Sequence, residues 1–169
     1  MLTFKINEIP EGKSEEIIQL AQTALDLSPY EFIGGTVHVY FEKYPGLIRT
    51  RFAVASKVML TCDRSLEQFQ HPVKAVYSVL FDANAQEVSE DDEITTKPLD
   101  IPSNVISIEE QVRDTILLNI PIKKLHPRFY DENGEELEFS YTSETEEKDS
   151  ESVIDPRWEK LKALKNNSN

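Results

Sequence analysis

Cys62 is the single nucleophilic sulphur of the chain, and Arg64 follows two residues later in Leu60-Thr61-Cys62-Asp63-Arg64-Ser65-Leu66. A reactive cysteine needs access and a nearby cation, base or helix N-terminus that lowers its pKa. Cys62 instead continues the apolar side of a long alternating segment, which predicts a packed structural thiol. Metal chemistry would need partners, yet His38, His71 and His126 are widely scattered, and the last two precede Pro72 and Pro127, as turn and strand-end residues do. Acidic pairs such as Asp91/Asp92 and Glu146/Glu147 lie in charge runs, whereas catalytic carboxylates require a rigid, partly desolvated setting. With five glycines there is no phosphate-cradling loop; Gly34-Gly35 simply precedes a strand, and no GxSxG nucleophile turn occurs. The sequence therefore predicts a non-enzymatic protein with no metal and no cofactor.

Binding chemistry is better represented. Lys123-Lys124-Leu125-His126-Pro127-Arg128-Phe129-Tyr130 interleaves three fixed cations with two aromatic rings. Arg49, Arg51, Lys57 and Arg64 fall on the polar side of a long strand. Either group could touch phosphates and stack on exposed RNA bases. An ordinarily charged surface, paired with the chain's own acids, is the preferred reading, because no sustained basic stripe emerges.

The 169 residues carry a net charge of -13, placed unevenly. Residues 131–155 hold eleven acidic side chains against one basic, and residues 87–93 hold five acids and no base. Outside those two segments 15 acids face 17 bases, so the remaining body is nearly balanced. A mobile polyanion would attract basic partners, ribosomal proteins among them, or serve only as a solubilising tether. At 39% hydrophobic content there is enough for one core, and no run approaches the ~18 apolar residues of a membrane span. The opening Met1-Leu2-Thr3-Phe4-Lys5 lacks the build of a signal peptide, and a lone cysteine suits a reducing cytoplasm.

These residues need elements to position them. Leu2, Phe4 and Ile6 alternate as a first strand. Ser14, as a cap, with Ile17, Leu20, Ala21, Ala24 and Leu25 on one face, predicts a first helix. Val37, Val39 and Phe41 alternate up to a Tyr44-Pro45-Gly46 turn. Ile48, Thr50, Phe52, Val54, Ser56, Val58, Leu60 and Cys62 then mark a long strand, bent near Ala55-Ser56, and Val73 to Phe81 mark another. Ser107-Ile108-Glu109-Glu110 has capping-box spacing ahead of Ile108, Val112, Ile116 and Ile120, a second helix stopped by Pro121. Residues 131–152 have few apolar anchors and read as flexible. Asp155 caps, and Pro156 begins, a last helix carrying Trp158, Leu161 and Leu164.

Three segments together resemble the YceD family of bacterial proteins: Leu60 to Leu66, Ile106 to Pro121, and Asp155-Pro156-Arg157-Trp158 with the leucines that follow. The resemblance implies a role in accumulation or maturation of large-subunit (23S) ribosomal RNA; in many bacteria the family's gene neighbours that of a small large-subunit ribosomal protein. Many members have a second cysteine three residues after the first, and others beyond the second helix, which together look like a zinc site. Here Ser65 takes that second position, and 126–134 hold no cysteine. The motif positions that match are Cys62, Arg64, Leu66, Asp155, Pro156 and Arg157. Arg64 and Arg157 are expected in structure or partner contact, and Cys62 in the core.

The expected fold is α+β: an antiparallel, partly barrel-like sheet with two packed helices and a C-terminal helix on an acidic linker. Its divisions are a domain over 1–130, a linker over 131–154 and a helix over 155–169. The expected function is ribosome biogenesis, through a basic ribosomal protein or a large-subunit assembly intermediate. The protein partner is preferred over rRNA, since the net charge opposes nonspecific phosphate binding. Direct RNA binding through 123–130 is the alternative, and an RNA-processing enzyme the rival from another class. Possible contact residues are Arg49, Arg51, Lys123, Lys124, Arg128 and Trp158; neither a membrane nor a small-molecule substrate is expected.

Overall fold

The structure is a computed structural model and describes residues 2–90 and 94–137. The chain divides into two compact units, Met1–Glu135 and Glu136–Asn169. The last helix, with Asp155, Pro156, Arg157 and Trp158, and most of the acidic linker lie outside the described residues, as do Asp91, Asp92 and Glu93.

Three long strands, β3 (Glu31–Tyr44), β4 (Leu47–Thr61) and β5 (Gln68–Asp82), form the centre of a six-stranded sheet. The period-2 alternation of β4 is met residue by residue. Ile48, Thr50, Phe52, Val54, Ser56, Val58 and Leu60 are all buried, and Cys62 extends the series. Each fully buried large apolar side chain contributes roughly 1.5–3 kcal/mol over exposure, which fixes the register, since a one-residue slip would turn the whole row to solvent. Pro45-Gly46 joins β3 to β4, with Gly46 at φ 75°, as a type II turn requires.

Gly34 and Gly35 mark an irregularity in β3. The register shifts between Phe32 and Gly34, and a Cβ on Gly35 would lie 2.7 Å from both the Ala55 carbonyl oxygen and the Ser56 Cβ. The close approach falls at Ala55-Ser56, where the sequence suggests a bend.

The first expected helix is instead strand β2 (Gly12–Leu20), paired antiparallel with β3. Ile17, assigned to its buried face, is 62% exposed, whereas Leu20 is buried; residues 21–30 form a loop in which Leu25 and Leu27 are buried. The helical spacing was a coincidence between a strand and anchors in the loop after it. Pairing with the long β3 overrides weak helical propensity.

The sheet is also mixed and open, not barrel-like. Its order is β2-β3-β4-β5-β7-β6, with β6 (Ser89–Glu90) and β7 (Ile94–Pro98). The chain leaves a place beside β5 for β6, then β7 fills it, antiparallel to β6 and parallel to β5. Among the described residues β2 and β6 remain separate edges, and no strand closes the sheet.

One face of the sheet holds the core. Helix α1 (Glu109–Leu118) packs against β4 and β5, with Ile108, Val112 and Ile116 fully buried as the spacing predicts. It is the single α-helix among the described residues, where two packed helices were expected. The capping box does not form: Ile108 is the N-cap, and Ser107 Oγ accepts from Glu109 N–H at a long 3.4 Å. Glu110 turns away to an ion pair with Lys97, 2.9 Å, which also holds its carboxyl below the usual range. A two-stranded sheet, β1 (Thr3–Lys5) with β8 (Val105–Ser107), covers the same face and sets Phe4 edge-on to Phe41 at 4.9 Å.

Candidate partner-contact site around the Cys62–Leu66 turn

At the end of β4 the chain reverses into β5 through a turn opened by Cys62. Leu66 N–H donates to the Cys62 carbonyl, and Cys62 N–H donates to the Glu67 carbonyl, both at 2.9 Å. The reversal places Leu66 in the left-handed region, φ 58°, although it has a branched side chain, and leaves that side chain 77% exposed. An exposed leucine in strained backbone has no packing reason of its own, which makes it a candidate contact residue.

Cys62 anchors this turn from within. Its side chain is fully buried, and Sγ accepts N–H donors from Ser65 at 3.5 Å and His126 at 3.3 Å. Burial pushes the thiol up, but the hydrogen bonds from Ser65, with those from the backbone of His126 and Arg64, more than offset it and bring the pKa to about 7. The combination is a thiolate-favouring sulphur with no access, which suits holding backbone in place rather than nucleophilic attack.

The donor set does not fit a zinc cage. Cys62 supplies one sulphur, the Ser65 hydroxyl bonds Glu67 at 3.0 Å, and His126 Nδ1 accepts Arg128 N–H at 3.2 Å. Among the described residues no cluster of three or more His, Cys, Asp and Glu side chains could hold a metal ion.

The second wall of the site comes from far along the chain. Asp63 and Lys124 clasp each other: Asp63 N–H donates to the Lys124 carbonyl and Lys124 N–H to Asp63 Oδ2, each at 2.7 Å. Leu125 is buried beside this clasp in sequence, and Phe69 meets the His126 ring at 5.5 Å. A short 3₁₀ turn at Pro127–Phe129 then sets Phe129 beneath two guanidinium groups, Arg64 at 4.8 Å and Arg128 at 5.0 Å. Arg128 also pairs with Glu67, and Lys124 Nζ stands 5.8 Å from the Tyr30 ring centroid. Tyr30, Met59, Leu66 and Lys124 border a shallow groove of about 670 Å³.

Of the residues named from sequence, the fold thus brings together Cys62, Arg64, Leu66, Lys124 and Arg128. Lys123 adjoins them in sequence. Arg49 and Arg51 stand apart, near the start of β4, ~35–40 Å away at the rise of an extended strand. Asp63, Glu67 and Tyr30 were missed: nothing local marks Asp63 as the clasp of a residue 61 positions away.

A family model described as "Large ribosomal RNA subunit accumulation protein YceD" matches residues 50–165. The chain belongs to the YceD family. No curated protein and no solved structure matches it. The matched span takes in most of β4, with β5, α1 and both walls of the site. Among the described residues no helix is long and apolar enough to cross a membrane.

Proposed function

We propose that this chain is a non-enzymatic ribosome biogenesis factor that promotes accumulation of large-subunit (23S) rRNA by binding a large-subunit assembly intermediate in the cytoplasm. Membership of the YceD family over residues 50–165 is the observation that carries this reading. The corner built by Cys62–Glu67 and Lys124–Phe129 supports a binding mode of action. Its sulphur is enclosed, and its exposed parts are a leucine, two arginines around a ring, and a shallow groove.

An assembly intermediate presents both rRNA and basic ribosomal proteins, and the charge distribution suits both. The acidic run over 140–152 would attract basic protein, whereas the body outside the acidic segments is nearly balanced. Direct RNA binding through 123–130 is weakened as a sole explanation, because Lys124 and Arg128 already engage Tyr30, Phe129 and Glu67.

The reading is tested by quantifying large-subunit against small-subunit rRNA in cells lacking the protein. A deficit of large-subunit rRNA, restored by the intact gene and not by a Leu66→Asp, Arg64→Ala variant of normal stability, supports both function and site. An unchanged ratio overturns the function.

A further inference from the structure

The sheet face opposite the core is composed unlike an ordinary solvent face. Cross-strand register aligns Glu15, Tyr40, Arg51 and Ser78 in one row, and Ile17, His38, Ala53 and Val76 in the next. Ile17 is 62% exposed, Val76 54% and Tyr40 39%. Tyr40 and His38 stack at 4.2 Å between ring centroids, and the Tyr40 hydroxyl meets His38 Nδ1 at 2.8 Å. Two rings are therefore held together on the sheet with apolar side chains alongside.

The charges around them lean slightly basic. Lys13, Arg49, Arg51, Lys57 and Lys74 share this face, against Glu15, Glu31, Glu42 and, at the end of β5, Asp82. Glu42 lies 3.3 Å from Lys13 and Glu31 accepts from the neutral Gln22 amide, while Glu15 lies 3.2 Å from His38 Nε2, an ion pair only with that ring protonated. Glu42 stands directly opposite Arg49 in register but turns to the edge lysine instead. Arg49, Arg51, Lys57 and Lys74 make no ion pair among the described residues. Arg49 and Arg51 are successive outward residues of one strand, ~7 Å apart, a separation that neighbouring phosphates of an extended strand can reach. They border an open groove of about 1000 Å³ together with Lys13, Tyr40, Val76 and the carboxylates Glu15 and Glu42.

We propose that this face is a binding platform for single-stranded RNA, with Arg49 and Arg51 on consecutive phosphates and a base stacked against Tyr40 beside His38. It deepens the proposed function by naming RNA as the part of the intermediate that is touched, and it rests on that reading for its biological setting. Unpaired arginines beside stacked rings on an open sheet suit a polyanion that carries aromatic bases. A basic protein would meet four like charges here. Duplex RNA would offer no base to the rings.

The test is fluorescence anisotropy of the full chain with a labelled unstructured RNA about a dozen nucleotides long, a duplex of equal length, and polyphosphate. Binding to the single strand is expected to exceed both others, with a log–log salt slope of about -1.4 for two phosphate contacts. Tyr40→Ala is expected to weaken it about 10-fold. Arg49→Gln with Arg51→Gln is expected to do so by a similar factor and to flatten the slope. Unaltered circular dichroism and urea midpoints keep the comparison valid, and Arg51→Lys should restore part of the affinity if the variants fold. Undetectable binding at low salt, equal affinity for polyphosphate, or indifference to these substitutions overturns the platform. Wild-type protein that binds RNA in this way yet leaves cellular rRNA ratios unaffected by its loss overturns only the biogenesis role.

Discussion

His126 donates its backbone N–H to Cys62 Sγ across 3.3 Å, joining two positions 64 residues apart. Through that bond, and the Asp63–Lys124 clasp beside it, a turn at the end of β4 and a basic, aromatic segment beyond α1 become one surface. The buried cysteine is thus the fastener of the site rather than its chemistry.

Removing the sulphur should therefore loosen this surface. Cys62→Ala leaves the Ser65 and His126 N–H groups without their acceptor and opens a small void, so a destabilisation of about 1–3 kcal/mol is expected in urea titration. The native thiol should resist alkylation until the protein unfolds. Rapid native-state labelling, or a variant as stable as wild type, would contradict the fastener role.

The thiol also makes stability depend on pH. Its folded pKa of about 7 lies below the ordinary 9.0, so the folded state favours the thiolate. The resulting stabilisation is complete above the unfolded pKa and is lost as pH falls through about 7. Stability of wild type relative to Cys62→Ser should accordingly rise between about pH 7 and pH 9. A flat difference across that window would show that the hydrogen bonds do not lower the pKa.

Asp63→Ala should free the backbone at Lys124. Two 2.7 Å hydrogen bonds depend on the two residues facing each other, and one uses the carboxylate directly. The expected cost is about 1 kcal/mol, with faster amide hydrogen exchange at Lys124 and neighbouring residues while β4 stays protected. Unchanged exchange at 123–126 would mean the segment is held by Leu125 and Phe129 alone.

Gly35→Ala should be severe for a one-carbon change. The added Cβ would meet backbone and Cβ atoms of β4 at 2.7–2.8 Å, none of them the end of a flexible side chain. A loss of about 1–3 kcal/mol is expected from strain between the two central strands. A variant with an unchanged urea midpoint would show that β3 and β4 can separate without cost.

What was legible in the sequence follows the range of the forces involved. β4, β5 and the Ile108-Val112-Ile116 face were readable because burial on one side imposes a local period, and the Pro45-Gly46 turn because its backbone demands glycine. The strand at Gly12–Leu20 was misread: its alternation is weak on an exposed edge, and Ser14 followed by Ile17 and Leu20 imitates a capped helix. The parallel β5–β7 pairing and the open edge depend on which place the chain skips, and no local pattern encodes that. Within the site, the family motif singled out Cys62, Arg64 and Leu66, and composition singled out 123–130. Their meeting could not be read, since it rests on contacts spanning more than sixty residues.

The central claim is association with a large-subunit assembly intermediate, and sedimentation of cell lysate through a sucrose gradient tests it most directly. The account predicts co-migration of the protein with large-subunit precursors, abolished by ribonuclease treatment. Protein confined to the top of the gradient, with and without ribonuclease, would contradict it.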